Sequence, residues 1–162
     1  MKGIQFIDGT EMTFDELTTV DCHGTPYVMM LLREKKLNPE DVPEELLPLK
    51  DNSGASVLDV CIERFKEPIP DNKGRIVPRV FHLTKSNECK LPMHFREVTT
   101  ILAIAREDGW TVAHNMALWK YLPSKMMTEE ILSLVDNFKC SVAYLVVLVF
   151  NNEIYLEQIK KY

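Results

Sequence analysis

The chain has 162 residues, 46% of them hydrophobic, and a formal net charge of −5 at pH 7. Length and apolar share suit one domain with a core of its own, expected over residues 1–162. The acidity argues against a general binder of phosphate backbones, so direct nucleic-acid binding is not expected.

In chain order, Ile4 to Thr10 reads as a short strand entering a turn. Thr13-Phe14-Asp15-Glu16 is a capping box, in which hydroxyl and carboxylate each satisfy a free amide. It predicts a short helix from about residue 13 to 20, and residues 1–20 together form an N-terminal cap. Thr25 is placed to cap the next helix, with Pro26 at its first position, where no hydrogen bond is lost. Tyr27, Met30 and Leu31 follow at helical spacing, and Lys35-Lys36 suit a negative helix end. Asn38-Pro39-Glu40-Asp41 repeats the cap-then-proline start for another short helix or turn. Ser56 opens a helix of about ten residues with Val57, Val60, Cys61 and Phe65 along one face.

Pro68 and Pro70 end that helix and begin an excursion. Residues 67–92 are expected as an insertion, an extended segment or hairpin, with strand-like composition from Arg75 to Leu83. Loops of this length inside a compact domain are usually functional or disordered. Helices resume over 94–105, with Val98, Ile101, Leu102 and Ala105 on one face, and over 111–118. Another starts at Thr128 and carries Ile131, Leu132, Leu134 and Val135. The apolar run 142–150 is rich in β-branched residues, and a hairpin through Asn151-Asn152 to Ile159 would suit it. The match of Ser141-Val142-Ala143 to Thr111-Val112-Ala113 favours a helix.

That match belongs to a recurring grammar. Asp108-Gly109-Trp110-Thr111-Val112-Ala113-His114-Asn115-Met116-Ala117 joins a turn, a hydroxyl residue and an apolar run. Asp51 to Asp59 and Asp136 to Tyr144 repeat the order. The first copy resembles the opening of an ankyrin repeat, a turn followed by a T-P-L-H-x-A-type helix start. Thr111 and Ser141 lie 30 residues apart and Thr25 and Ser56 lie 31 apart, against a family period of 33. Only Thr25-Pro26 has the proline, only Thr111 to His114 has the histidine in register, and the glycines that usually close the inner helices are absent. The resemblance implies a mainly α fold: a short ankyrin-like helical stack over 21–66 and 93–162, interrupted near residues 68–92. It also implies that Thr111 caps its helix while His114 ties neighbouring repeats through backbone hydrogen bonds.

Signals for chemistry are sparse. The six glycines are scattered, so no phosphate loop forms, and no GxSxG elbow occurs. Cys22, Cys61, Cys89 and Cys140 form no CxxC pair, and Met1 to Gln5 open no secretory leader. Reduced thiols in a cytoplasmic protein are therefore expected, with Cys61 and Cys140 buried and inert. The apolar run 142–150 is far short of the roughly 20 residues that span a bilayer, so no membrane is expected. His82, Cys89 and His94 are the best metal-like set, but a structural zinc site normally needs four ligands in tighter pairs. No catalytic residue, metal or cofactor is assigned, and a small enzyme or zinc protein using residues 82–94 is the rival reading.

The expected function is binding of another protein or protein complex, because a repeat scaffold supplies a surface and not a reaction. The candidate contacts are the turn tips: Asp51, Asn52 and Ser53; Asp108 and Trp110; Asn137 and Phe138. Glu44 and Glu45 form an acidic patch suited to a basic partner. Trp119 and Tyr121 are expected to fill the space between helices. Such a chain fits an adaptor or a stoichiometric inhibitor. A phage or mobile-element antagonist of a nucleic-acid-guided defence nuclease is a further alternative, since acids can occupy a basic channel. The apolar run 142–150 also allows self-assembly through an added strand or helix.

Overall fold

The computed structural model describes residues 3–5, 11–85 and 88–149. Among the described residues helices outweigh strands, and the strands pair as small antiparallel hairpins. The chain gathers into two compact units, Met1–Glu67 and Pro68–Tyr162. Among the described residues no helix is long and apolar enough to cross a membrane.

In the first unit, β1 (Gly3–Gln5) pairs antiparallel with β2 (Glu11–Thr13). Residues 6–10 of the expected opening strand and turn lie outside the described residues. Thr13 then caps α1 (Phe14–Thr18) through the full capping box with Glu16. The second helix departs from expectation. α2 (Tyr27–Arg33) is preceded by Pro26 as N-cap, and Thr25 makes no cap bond. The cause is an isolated bridge between Val20 and Pro26, which holds Pro26 extended and delays the helix by one residue. The exposed first amide, that of Tyr27, is satisfied instead by the Thr19 carbonyl at 2.8 Å. Pro39–Asp41 and Glu44–Leu46 are single 3₁₀ turns. α3 (Val57–Phe65) follows Ser56, which forms a capping box with Asp59.

The core of this unit is apolar and closely covered. Leu17, Val28, Met29, Leu32, Leu37, Val57, Cys61 and Phe65 are all fully buried. One cation joins them. The buried Arg64 donates from Nη1 to the carbonyls of Leu32 and Leu37, which bracket the chain reversal after α2. A guanidinium there satisfies carbonyl groups that a helix end leaves without intrahelical donors.

The second unit starts with β3 (Pro68–Pro70) and β4 (Ile76–Pro78), a hairpin in which Ile69 faces Val77. The strand does not run on to Leu83, because Pro78 starts a 3₁₀ turn over Arg79–His82 that buries Val80 and Phe81. β5 (Thr84–Lys85) and β6 (Glu88–Cys89) form a second small hairpin. The excursion is tied down within its unit. Asn115 Nδ2 donates to both the carbonyl and the hydroxyl of Thr84, and Arg96 donates to the carbonyls of Leu91 and Cys89.

The single helix expected over 94–105 is two, α4 (Met93–Arg96) and α5 (Thr99–Leu102). Val98 sits between them in an extended conformation (φ −103°, ψ 111°). Ile101 and Leu102 are buried as expected, whereas Ala105 is exposed. α6 (Val112–Leu118) begins at the predicted Thr111 cap. α7 (Glu129–Leu132) ends before Leu134 and Val135, and Val135 enters a bridge with Ser141. Residues 142–149 are helical, in line with the repeat register, and the proposed hairpin partner beyond Asn151 lies outside the described residues.

The missing helix-closing glycines have an explanation. Lys35 (φ 60°) follows α2 and Lys120 (φ 67°) follows α6 in the left-handed conformation where glycine is usual. The closing bonds still form: Lys36 N–H to the Leu31 carbonyl, 3.0 Å, and Tyr121 N–H to that of Met116, 2.7 Å. A third lysine, Lys139 (φ 68°), stands where the other turns place Gly24, Gly54, Gly74 and Gly109. Left-handed backbone strains a residue that has a Cβ. Lys139→Gly should therefore stabilise the second unit by about 0.5–1 kcal/mol. Both tryptophans lie in that unit, so urea unfolding followed by tryptophan fluorescence should show a higher midpoint at unchanged slope.

Candidate binding surface at the turns

The turns proposed as contacts share one construction. In the first unit, Asp51 N–H donates to the Ala55 carbonyl (3.0 Å) and Gly54 N–H to that of Asp51 (3.1 Å). Asp51 Oδ1 accepts from the amides of Ser53 and Ala55 and from the Ser53 hydroxyl. Asp21 repeats this on His23 and Thr25 and, in the second unit, Asp71 on Lys73 and Arg75. In the second unit Asp136 repeats it on Phe138 and Cys140.

The turn from Arg106 to Trp110 is a variant. Arg106 holds the first position, and its guanidinium is gripped in a bidentate pair by Asp108 at 3.2 and 2.8 Å. Asp108 Oδ1 then takes the Trp110 amide at 3.1 Å. The carboxylate has moved two residues along the chain and still closes the turn.

Each turn hands its chain directly to a helix. Bridges link Val20 to Pro26, Lys50 to Ser56, Ala105 to Thr111 and Val135 to Ser141. The first helical amide then donates back across the turn, as Val57 does to Leu49, Val112 to Ile104 and Val142 to Leu134. Asp71 is the exception. Its turn leads into β4, so the same local motif serves as a hairpin corner.

Neighbouring turns within a unit are stitched together. Asn52 Nδ2 donates to the His23 carbonyl at 2.7 Å. In the second unit Asn137 donates twice, from its amide to the Asp108 carbonyl and from Nδ2 to that of Glu107. Glycine is required on the receiving side. A Cβ on Gly109 would sit 2.8 Å from the Asn137 amide nitrogen, and the backbone there has φ +81°. His114 adds a deeper stitch. Its Nδ1 accepts the Thr111 amide at 3.1 Å, which leaves Nε2 as the donor to the Cys140 carbonyl at 2.9 Å. The ring is fully buried.

These bonds sort the candidate contacts. Asp51 and Asp108 commit both carboxylate oxygens, Asp51 partly to Arg33, and Asn52 and Asn137 commit their Nδ2 groups to the adjacent turn. Ser53 also spends its hydroxyl on Asp51. Trp110 is half-buried, its ring 5.0 Å from that of His114 and 5.7 Å from the Arg106 guanidinium. Phe138 stands out among them, 82% exposed at the tip of its turn. Glu44 and Glu45 are exposed on the 3₁₀ turn of the first unit.

Sequence reasoning missed further exposed apolar residues in the segment that carries Phe138. Val135, Tyr144 and Val147 belong to the same turn and helix and are each more than half exposed. Their signal was present as Tyr144 and Val147 at i,i+3 on one helical face, but the β-branched run hid it. Cys61 is buried and its thiol is pushed up to about 12 by that burial. Cys140 is only half-buried, because it occupies a turn and not a helical face. Trp119, expected between helices, is 42% exposed, while Tyr121 is half-buried beneath Arg96. His82, Cys89 and His94 do not converge: among the described residues no such group could hold a metal ion.

The chain matches no family model, no curated protein and no solved structure.

The turn carboxylates carry a pH signature. Hydrogen bonds from Thr25 and His23 hold Asp21 below its ordinary 3.8, and the Ser53 hydroxyl with the Ser53 and Ala55 amides does so for Asp51. Such depression stabilises the fold above the unfolded-state pKa, and the gain is lost as pH falls through the folded one. The contribution of these carboxylates to stability should be level from about pH 5 to 7 and decline below about pH 4. Asp51→Asn should lower stability at neutral pH and flatten the acid decline; urea unfolding across that range, followed by circular dichroism, checks both.

Proposed function

We propose that the chain is a non-enzymatic protein-binding module built from ankyrin-like helical repeats, acting as an adaptor or a stoichiometric inhibitor of a partner complex. The observation that carries this reading is the recurrence of the turn-to-helix unit. Bridges at Val20 and Lys50, and again at Ala105 and Val135, are 30 residues apart within each pair, and each pair is stitched by an asparagine on its second turn. The His114 bonds to Thr111 and to Cys140 match the role that the ankyrin resemblance gives this residue.

The binding face of the module centres on the last described turn and helix. Phe138 supplies a rigid aromatic anchor with little side-chain entropy to lose on binding, and Tyr144 and Val147 extend the apolar surface beside it in sequence. Trp110 serves better as support than as anchor, since it already packs on His114 and Arg106. Exposed aromatic residues of this kind are enriched among the few that dominate an interface.

The test is capture of partners on the tagged chain from native lysate, read by mass spectrometry beside Phe138→Ala. One stoichiometric protein is expected, bound roughly 30-fold more weakly by the variant, about 2 kcal/mol. Glu44→Lys with Glu45→Lys reports in parallel on the acidic patch. Absence of any partner, or one indifferent to Phe138, would overturn the reading.

A further inference from the structure

The second unit contains a cavity of about 550 Å³ that the turn surface does not use. Small-molecule sites typically occupy roughly 300–1,000 Å³. Its charged lining is unusual for so acidic a chain: among the described residues, Lys73, Arg75, Lys85 and Arg106 against the carboxylate of Asp71. These residues come from the β3–β4 hairpin turn, from β5 and from the turn before α6, so the fold assembles them from distant positions.

The one acid is already engaged. Asp71 accepts the amides of Lys73 and Arg75 and the Arg75 Nε at 2.9 Å, which leaves both terminal guanidinium nitrogens of Arg75 outside that pair. Arg106 is held through Nε and Nη2 by Asp108 and lies 5.8 Å from the Phe81 ring, so its orientation is fixed. Among the described residues no carboxylate pairs with the ammonium group of Lys73 or Lys85. Concentrated, undercompensated positive charge in a concave site focuses potential on an incoming anion.

Two further lining residues refine the ligand. Trp119 offers a 42% exposed indole at the cavity, a face on which a planar ring can stack. Asn115 is clamped by its bonds to Thr84, so the wall between α6 and β5 is preformed. Several cations beside an exposed indole match a ligand with clustered phosphates and a planar base. We infer that this cavity binds a nucleoside di- or triphosphate, with the phosphates against Lys73, Arg75 and Lys85 and the base on Trp119.

Isothermal titration calorimetry of the full chain with ADP, inorganic pyrophosphate and adenosine tests this. ADP and pyrophosphate should both bind, ADP about tenfold more tightly because of the stacked base. Lys73 and Lys85 are exposed, so their joint replacement by alanine leaves packing intact and should weaken both ligands at least tenfold. Trp119→Ala should bring ADP down to the affinity of pyrophosphate and leave pyrophosphate unchanged. No binding of either phosphate ligand at millimolar concentration would overturn the inference, as would binding indifferent to the lysine replacements. Equal affinity for ADP and pyrophosphate would overturn the part assigned to Trp119.

Discussion

The interaction on which the rest depends is a carboxylate closing a five-residue turn over its own backbone. An aspartate oxygen accepts two amides, two and four residues ahead, that would otherwise point outward without partners. The closed turn presents its flanks as a bridge, and the bridge fixes the direction in which the next element starts. What starts is decided by the residues that follow. Pro26, Ser56, Thr111 and Ser141 precede helices, and three of them supply a hydroxyl. After the Asp71 turn come Ile76, Val77 and Pro78, which suit a pleated edge and cannot continue as a capped helix. One corner thus serves a helix or a hairpin, and the choice lies outside the corner.

Stitching the turns constrains what their tips can still do. A side chain that donates to the next turn cannot also offer that donor to a partner without breaking the stitch. Asn52 and Asn137 are in this position, and Asp51 and Asp108 are more deeply committed, one oxygen to turn amides and the other to Arg33 or Arg106. Polar turn residues are then a means of spacing the tips, and on the reading proposed above contact with a partner falls to residues with no duty in the scaffold. Phe138 is such a residue. It occupies a turn position whose amide is used and whose ring is not.

Much of this was legible in the sequence, because capping boxes and turn motifs act locally. Thr13, Ser56 and Thr111 each begin the helix their spacing implies, and Val57, Val60, Cys61 and Phe65 line the buried face read from their period. What escaped was decided at longer range. The bridge from Val20 displaces the start of α2 past Thr25, and the extended Val98 divides a helix that periodicity alone joins. The burial of Arg64 rests on the carbonyls of Leu32 and Leu37, 32 and 27 residues away in sequence. The candidate contacts were legible as turn residues, but not the bonds that occupy them. The cationic cavity had no sequence signal, since its lysines and arginines are brought together only by the hairpin.

That cavity also resolves an apparent conflict in the charge. A net charge of −5 describes the whole surface, whereas recognition of an anion depends on the local balance inside a concave site. The excursion that interrupts the turn-helix pattern concentrates the cations, because the Asp71 corner carries Lys73 and Arg75 out on the hairpin while Asn115 anchors β5 against α6. Asp71 pairs with Arg75 and Asp108 with Arg106, so the positive charge left over at the site is that of Lys73 and Lys85. The carboxylate that makes the turn rigid therefore also orients Arg75 at the cavity. Scaffold and surface answer to the same bond.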